Sequence, residues 1–158
     1  MTKLKLHNTA TRQLEEFKPI KDGKAKIYSC GPTVYDEPHV GNWASYIYWD
    51  ILVRTLNANG IEVEQTINIT DVGHLTDDGD DGSDKLEAGA QREACTAWDL
   101  AEKYLKSFVA GREALNLMSP SHMPRATAFI KEQLDLITTL YNKGFIYQIS
   151  DGLYFDTK

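Results

Sequence analysis

The pattern that most constrains the fold is a strand, a helix and a second strand in succession. Residues 25–30 alternate apolar and polar side chains, which is typical of a strand. Residues 61–69 alternate in the same way and are rich in β-branched side chains. Between them, apolar residues recur every three to five positions over residues 43–56, which indicates a helix. The sequence therefore predicts a βαβ unit with two parallel strands and a right-handed crossover.

Local signals mark the ends of these elements. Gly31-Pro32 stops the first strand, because proline has no amide donor and glycine permits a turn. Asn42 is the predicted N-cap of the helix, since its side chain can accept from an unpaired backbone N–H. Asn59-Gly60 is a fitting C-terminal stop.

Polar residues gather where the two strands end, which is where parallel sheets bind their ligands. The first strand ends at Cys30-Gly31 and the second at Thr70-Asp71. The sequence therefore predicts a crevice at this edge of the sheet. The polar residues expected to line it are Cys30, Thr33, Tyr35, Asp36, His39, Thr70 and Asp71.

His39, Gly41 and Asn42 stand at the start of the predicted helix. Unpaired N–H groups and the positive end of the helix dipole suit this place for a phosphate. Gly41 would let the phosphate approach the backbone, and His39 could donate to one of its oxygens. The alternative is structural: His39 follows a turn proline and Asn42 only caps the helix.

Cys30 has two interpretations. As a single residue it is best explained as a small buried hydrophobe at a strand end. It could instead be an exposed thiolate that acts as a nucleophile or metal ligand. Zinc needs four ligands, commonly in closely spaced pairs, and no second cysteine or histidine stands near Cys30 in the sequence. Cys95 is expected to be structural.

The second half of the sequence is predicted to be mostly helical. Thr96 is expected to cap one helix, and Pro124 to open another that Gly144 ends. The two predicted inward faces are Trp98, Ala101, Leu105, Phe108 and Leu115 in the first helix, and Ile130, Leu134, Ile137 and Leu140 in the second. Asp151-Gly152 separates two short apolar runs, as in a β-hairpin.

The acidic stretch 77–84 is predicted to be a solvated, mobile loop. It contains alternating aspartates and glycines, but in neither register does it place a carboxylate at the twelfth position of a calcium-binding EF-hand loop.

Composition bounds the class of protein. A chain of 158 residues with 42% hydrophobic and 25% charged residues is expected to form one globular domain. A net charge of −6 argues against non-specific nucleic-acid binding. Two cysteines, no signal-peptide-like start and no long apolar stretch predict a cytoplasmic protein without a membrane span. A monomer is expected.

Seven segments, in order along the chain, closely resemble cysteinyl-tRNA synthetases. The most specific is residues 28–36, Tyr-Ser-Cys-Gly-Pro-Thr-Val-Tyr-Asp, followed by Pro38-His39-Val40-Gly41-Asn42. The others are Asn8-Thr9-Ala10-Thr11-Arg12, Glu16-Phe17-Lys18-Pro19-Ile20, Asn68-Ile69-Thr70-Asp71-Val72, Leu115-Asn116, Pro124-Arg125-Ala126-Thr127 and Asp151-Gly152-Leu153-Tyr154-Phe155-Asp156.

The resemblance implies a class I enzyme with a Rossmann-like parallel sheet, and a helical segment inserted after the first βαβ unit. Such an enzyme joins cysteine to ATP, with magnesium, as cysteinyl-adenylate and then transfers the cysteinyl group to tRNA(Cys). The resemblance implies Cys30 as a zinc ligand, with the zinc holding the substrate thiolate. It implies Gly31, Thr33 and Thr70 at the cysteine. Thr33, His39, Gly41 and Asn42 would bind ATP, with His39 and Asn42 catalytic.

The sequence departs from the family pattern in three places. Asn42 stands where the signature usually ends in His, and asparagine can still donate a hydrogen bond. Residues 72–76, Val-Gly-His-Leu-Thr, replace the commoner Ile-Asp-Asp-Lys continuation. The family's other zinc ligands, its lysine-rich loop and its anticodon-reading domain have no counterpart in residues 1–158.

Residues 1–158 are therefore expected to be the N-terminal half of a class I catalytic domain, without a separate second domain. By itself this chain is expected to be inactive. Two alternatives remain: the related ligase that joins cysteine to an amino sugar in thiol-cofactor synthesis, and an inactive synthetase-like binding module.

Overall fold

Six strands, four α-helices and one 3-10 helix form the part of the chain that the computed structural model describes, residues 4–72 and 85–157. The acidic stretch 77–84 and residues 73–76 lie outside it. In chain order the elements are β1 (Lys5–Asn8), β2 (Gln13–Glu16), β3 (Lys24–Ser29), α1 (Val40–Ala58), β4 (Glu62–Ile67), α2 (Lys85–Glu93), α3 (Ala97–Ala114), the 3-10 helix (Ala126–Phe129), α4 (Ile130–Asn142), β5 (Ile146–Ile149) and β6 (Gly152–Phe155). None of these helices combines the length and apolar character needed to cross a bilayer.

The βαβ unit predicted from the sequence is present. β3 and β4 pair in parallel, from Lys24 opposite Glu62 to Ser29 opposite Ile67. Helix α1 connects them and ends at Ala58, with Asn59 as its C-cap and Gly60 in the left-handed region with a φ of 77°. The α/β class and the parallel pairing are therefore confirmed.

An extended segment at residues 122–126 adds a third parallel partner on the free side of β4. The N–H of Ile67 donates to the His122 carbonyl at 3.0 Å, and the N–H of Ile69 donates to the Pro124 carbonyl at 2.8 Å. The prediction that Pro124 opens a helix is wrong, and the helical turn begins at Ala126 instead. At a sheet edge the proline needs no amide donor, and it biases the preceding Met123 toward extended backbone.

The core lies between the sheet edge, α1 and α3. Its buried residues are Val34, Tyr46, Ile69, Leu86, Leu100, Ala101, Tyr104 and Phe108. The Phe108 ring stacks on Trp43 with ring centroids 5.7 Å apart, and Tyr46 meets Phe108 edge-on at 5.1 Å. Gly111 allows this close approach, because a Cβ there would lie 2.5 Å from the Trp43 ring.

Part of the predicted inward face of α3 is confirmed. Thr96 caps the helix by accepting from the Asp99 N–H at 3.1 Å, and Ala101 and Phe108 are buried. Trp98 is 67% exposed, because it lies about a quarter of a turn from the centre of the buried face. Leu115 is 43% exposed, since the helix ends one residue earlier.

The predicted buried stripe of α4 is wrong for this chain. Ile130, Leu134 and Ile137 are exposed and Leu140 is only half-buried, because α4 packs mainly against the 3-10 helix and β5. The hairpin after it is confirmed: β5 and β6 pair antiparallel, and Gly144 ends α4 with a φ of 79°.

Three elements were not anticipated from the sequence. The first is β2, which pairs antiparallel with β1. Helix α2 packs on α3, and its Leu86 reaches the core. The extended segment 122–126 is the third.

Candidate active site

The ends of β3 and β4 meet at one edge of the sheet, as predicted. The Gly31 N–H donates to the Asn68 side-chain oxygen at 2.8 Å. Past the strands, the Val34 N–H donates to the Thr70 carbonyl at 3.1 Å, and Thr33 and Thr70 pair in parallel. Only glycine fits at position 31, because a Cβ there would lie 1.5 Å from the Asn68 carbonyl oxygen.

His39, not Asn42, is the N-cap of α1. The Gly41 N–H donates to His39 Nδ1 at 3.1 Å, and the His39 N–H donates to Asn42 Oδ1 at 3.0 Å. This reciprocal pair is a capping box in which Asn42 stands at the third helical position. The N-cap prediction for Asn42 is therefore wrong by three residues, because histidine seldom caps a helix and the asparagine is the commoner choice.

The capping box fixes which atoms of His39 and Asn42 are free. An Nδ1 that accepts a hydrogen bond carries no proton, so the ring hydrogen is on Nε2. Asn42 uses its oxygen in the box, which leaves its NH₂ group. Both side chains thus present donors, and both stand at the positive end of the α1 dipole. This arrangement suits an anionic oxygen.

A cleft of about 430 Å³ opens between the β3 end and the α1 N-terminus. It brings together six residues predicted for the site: Gly31, Thr33, Tyr35, Asp36, His39 and Asn42. The remaining lining residues are Pro32, Glu37, Pro38 and Tyr46. Gly41 does not line the cleft. It sits behind the His39 ring, where a Cβ would lie 3.0 Å from Cε1.

Two lining residues were missed in the sequence. Glu37 is held by α3, since the Ser107 hydroxyl lies 2.8 and 2.7 Å from its two carboxylate oxygens. Tyr46 lies one turn into α1, and burial raises its pKa to about 12, with a further increase from the charge of nearby Cys30. Its hydroxyl therefore stays protonated and available as a donor. The sequence signal that could have identified Tyr46 is its spacing of four residues from Asn42, which places both side chains on one face of the helix.

Cys30 is exposed at the end of β3, so its interpretation as a buried hydrophobe is wrong. It does not line the cleft, although it lies close enough to influence Tyr46. Cys95 is half-buried against the core, in keeping with a structural role.

The described residues do not form a complete zinc site around Cys30. Among residues 4–72 and 85–157, no three His, Cys, Asp or Glu side chains gather closely enough to hold a metal ion. The described part of the chain thus supplies one thiol and not the four ligands of a tetrahedral zinc site.

Thr70 and Asp71 separate at the end of β4. Thr70 does not line the cleft, contrary to expectation, but stays beside Thr33 and accepts from the Asn68 side-chain NH₂ at 3.1 Å. Asp71 is buried and does not line the cleft, contrary to expectation. Its carboxylate accepts from the Thr127 N–H at 2.9 Å and hydroxyl at 2.7 Å, and lies 3.3 Å from Arg125 Nε. Asp71 thus holds the edge segment onto β4.

A family model described as the tRNA synthetases class I (C) catalytic domain matches residues 16–158. The α/β fold, with its parallel βαβ unit, agrees with it. The chain belongs to this family of class I synthetase catalytic domains.

The most similar relatives include three bacterial proteins named cysteine–tRNA ligase. The chain is 47% identical to cysteine–tRNA ligase 1 of Burkholderia lata over 98% of its own length and 33% of that protein. It is 44% identical to the ligase of Novosphingobium aromaticivorans and 46% identical to that of Treponema denticola, each over 97% of this chain and 31% of the relative. The chain thus spans about a third of the length of these relatives.

One solved structure with a similar fold is a LeuRS from Agrobacterium radiobacter K84, in a ternary complex with tRNA and LeuAMS. It superposes with a TM-score of 0.63 over 82% of this chain and 16% of that one, at 22% identity. This likeness supports the fold assignment.

Proposed function

We propose that the chain forms the N-terminal part of the catalytic domain of a cysteine–tRNA ligase. The observation that carries this is the 47% identity to such a ligase over 98% of the chain. The cleft supports it, because the residues that resemble the ATP and cysteine sites of the family line one cavity or border it.

The proposed reaction has two steps and takes place in the cytoplasm. A carboxylate oxygen of cysteine attacks the α-phosphorus of ATP, which enters with magnesium, and pyrophosphate leaves. A ribose hydroxyl at the 3′ end of tRNA(Cys) then attacks the acyl carbon, and AMP leaves. Both steps need the whole enzyme. This chain would supply one part of its active-site cleft.

The α1 end of the cleft is proposed to bind the ATP phosphates. His39 Nε2–H and the Asn42 NH₂ group are donors at the positive end of the helix dipole, where negative charge is stabilised. These donors are held in place by the capping box before ATP arrives, so no reorganisation is needed as charge develops on the phosphates. Thr33 lies between this end and the β3 end. Gly41 acts indirectly, by holding the His39 ring.

The strand-end side is proposed to bind cysteine. Gly31 and Thr33 line the cleft there, and Thr70 lies beside Thr33. Cys30 is proposed as one zinc ligand, with the remaining ligands supplied from outside these 158 residues. Its exposure leaves the thiol free for that purpose.

A chimaera in which residues 1–158 replace the matching third of the Burkholderia lata relative tests the proposal. We expect it to catalyse cysteine-dependent exchange of pyrophosphate into ATP and to charge tRNA(Cys). Failure of tRNA charging with transfer of cysteine to an amino sugar instead would favour the second ligase. A chimaera that folds but forms no adenylate with any amino acid would favour the inactive binding module.

A further inference from the structure

Asn68 bridges the two strand ends at the proposed cysteine site, although it does not line the cleft. It follows β4 directly and is half-buried. Its side-chain oxygen accepts from the Gly31 N–H at 2.8 Å, and its NH₂ group donates to the Thr70 hydroxyl oxygen at 3.1 Å. One side chain thus contacts two residues that the proposed function places at the amino acid.

The partner at Gly31 decides the orientation of the amide. A backbone N–H can only donate, so the atom facing it must be the oxygen of Asn68. The NH₂ group then necessarily faces Thr70, and the Thr70 hydroxyl oxygen acts as acceptor. A hydroxyl that accepts from Asn68 keeps its own hydrogen for another partner.

We propose that Asn68 is a positioning residue that makes Thr70 a hydrogen-bond donor toward the bound amino acid. This rests on the proposed function, which places Thr70 at the cysteine. Cysteine offers acceptors there, in its carboxylate and, when ionised, its thiolate. The Gly31 hydrogen bond holds the Asn68 side chain from the opposite side, so the amide has little freedom to turn.

Gln65 provides a matched control, because it links the same two strands without reaching the site. Its side-chain NH₂ group donates to the Ser29 hydroxyl oxygen at 3.1 Å, and both residues are buried within the sheet. If holding β3 to β4 were all that mattered, loss of this link would affect amino-acid binding as much as loss of Asn68.

The test compares Asn68→Asp, Thr70→Ala, the double variant and Gln65→Met in the chimaera. Aspartate keeps an acceptor for Gly31 but has no donor, so the Thr70 hydroxyl turns to donate to it. We expect Asn68→Asp to raise the KM for cysteine about tenfold, and to leave the KM for ATP within about twofold. In the Thr70→Ala background the same change should add less than twofold. Gln65→Met should lower the melting temperature and leave the KM for cysteine unchanged.

Three results would overturn the proposal: an unchanged KM for cysteine in Asn68→Asp, an equal rise for ATP, or an effect that persists in full without the Thr70 hydroxyl. Each of these leaves the ligase function standing. If the parent chimaera activates a different amino acid, the ligase proposal fails, and the same comparison is made with that amino acid.

A measurement on the 158-residue chain guards against variants that fail to fold. The ¹⁵N-resolved signals of the Asn68 side-chain NH₂ should shift in Thr70→Ala, while the Gly31 amide signal stays in place. An NH₂ signal that does not respond to Thr70→Ala would also overturn the proposal.

Discussion

At the scale of single residues, His39 performs two tasks with its two ring nitrogens. Nδ1 accepts from the Gly41 N–H and closes the capping box with Asn42. Nε2 is left with the ring hydrogen, and His39 lines the cleft. The contact that begins the helix therefore also sets the tautomer and the direction of the donor. A phosphate ligand would meet a side chain that needs no reorientation.

Replacing His39 separates these two tasks. His39→Ala in the chimaera is expected to slow adenylate formation by about 100–1000-fold, as when one preorganised donor to a developing oxyanion is removed. His39→Asn restores a good N-cap without the ring donor, so it should recover the melting temperature and not the rate. Pre-steady-state adenylation rates check this. A nearly normal rate in either variant would leave His39 only its capping role.

Cys30 is exposed, so its substitution should cost the fold little stability and should report mainly on zinc and cysteine binding. Cys30→Ser in the chimaera should lower zinc content and raise the KM for cysteine far more than that for ATP, since serine stays protonated and ligates zinc poorly. The free energy of unfolding should change by no more than about 0.5 kcal/mol.

Cys95→Ser is the matched control for Cys30. Cys95 packs against the core, so this change should cost stability and keep the zinc. Zinc measured by atomic absorption and melting curves distinguish the two variants. Full zinc retention in Cys30→Ser would contradict its proposed role as a ligand.

At the scale of elements, the packing of α3 on α1 holds the cleft in shape. Phe108 stacks on Trp43 just beneath the start of α1, and Gly111 lets the Trp43 ring lie against the α3 backbone. Ser107, on the same helix, holds Glu37 at the cleft. Helix α4 contributes nothing comparable, because its apolar side is exposed.

A pair of alanine substitutions measures this difference between α3 and α4. Phe108→Ala should reduce the free energy of unfolding of the 158-residue chain by about 3–5 kcal/mol, since the side chain is 0% exposed and leaves a cavity. Leu134→Ala should change it by less than about 1 kcal/mol, since that side chain is 57% exposed and alanine favours the helix. Urea unfolding followed by circular dichroism gives both values. Equal losses would mean that α4 is packed in solution.

At the scale of the whole molecule, the cleft is open because it is built from one edge of a small sheet. β3, β4 and the edge segment 122–126 supply three parallel partners, and the cleft lies where they end. The relatives are about three times as long as this chain. The chain thus covers about a third of the length of these relatives.

The 158-residue chain alone is therefore expected to give no cysteine-dependent exchange of pyrophosphate into ATP. One thiol cannot hold a tetrahedral zinc, and among the described residues no three His, Cys, Asp or Glu side chains gather to complete such a site. The chimaera serves as the positive control in the same assay. Robust exchange by the chain alone would contradict this and show that the site is more complete than its described residues indicate.

Much of the βαβ unit and its site could be predicted from the sequence, because the signals are local. Strand alternation, helical periodicity and the stop at Asn59-Gly60 each depend on residues within about one turn of one another. The parallel pairing follows from them, since a crossover helix brings two strand ends to one edge. The sequence therefore predicts Gly31, Thr33, His39 and Asn42 at one site, and all four line the cleft.

Tertiary structure alone decided the features that depend on distant partners. Pro124 lies in an edge strand because β4 offers it a backbone donor, and Asp71 turns from the cleft because Thr127 and Arg125 approach it. Which side of α3 is buried, and that α4 keeps its apolar side exposed, depend on what packs against each helix. Periodicity shows that a helix has an apolar side, whereas burial requires a neighbour that no short stretch of sequence specifies.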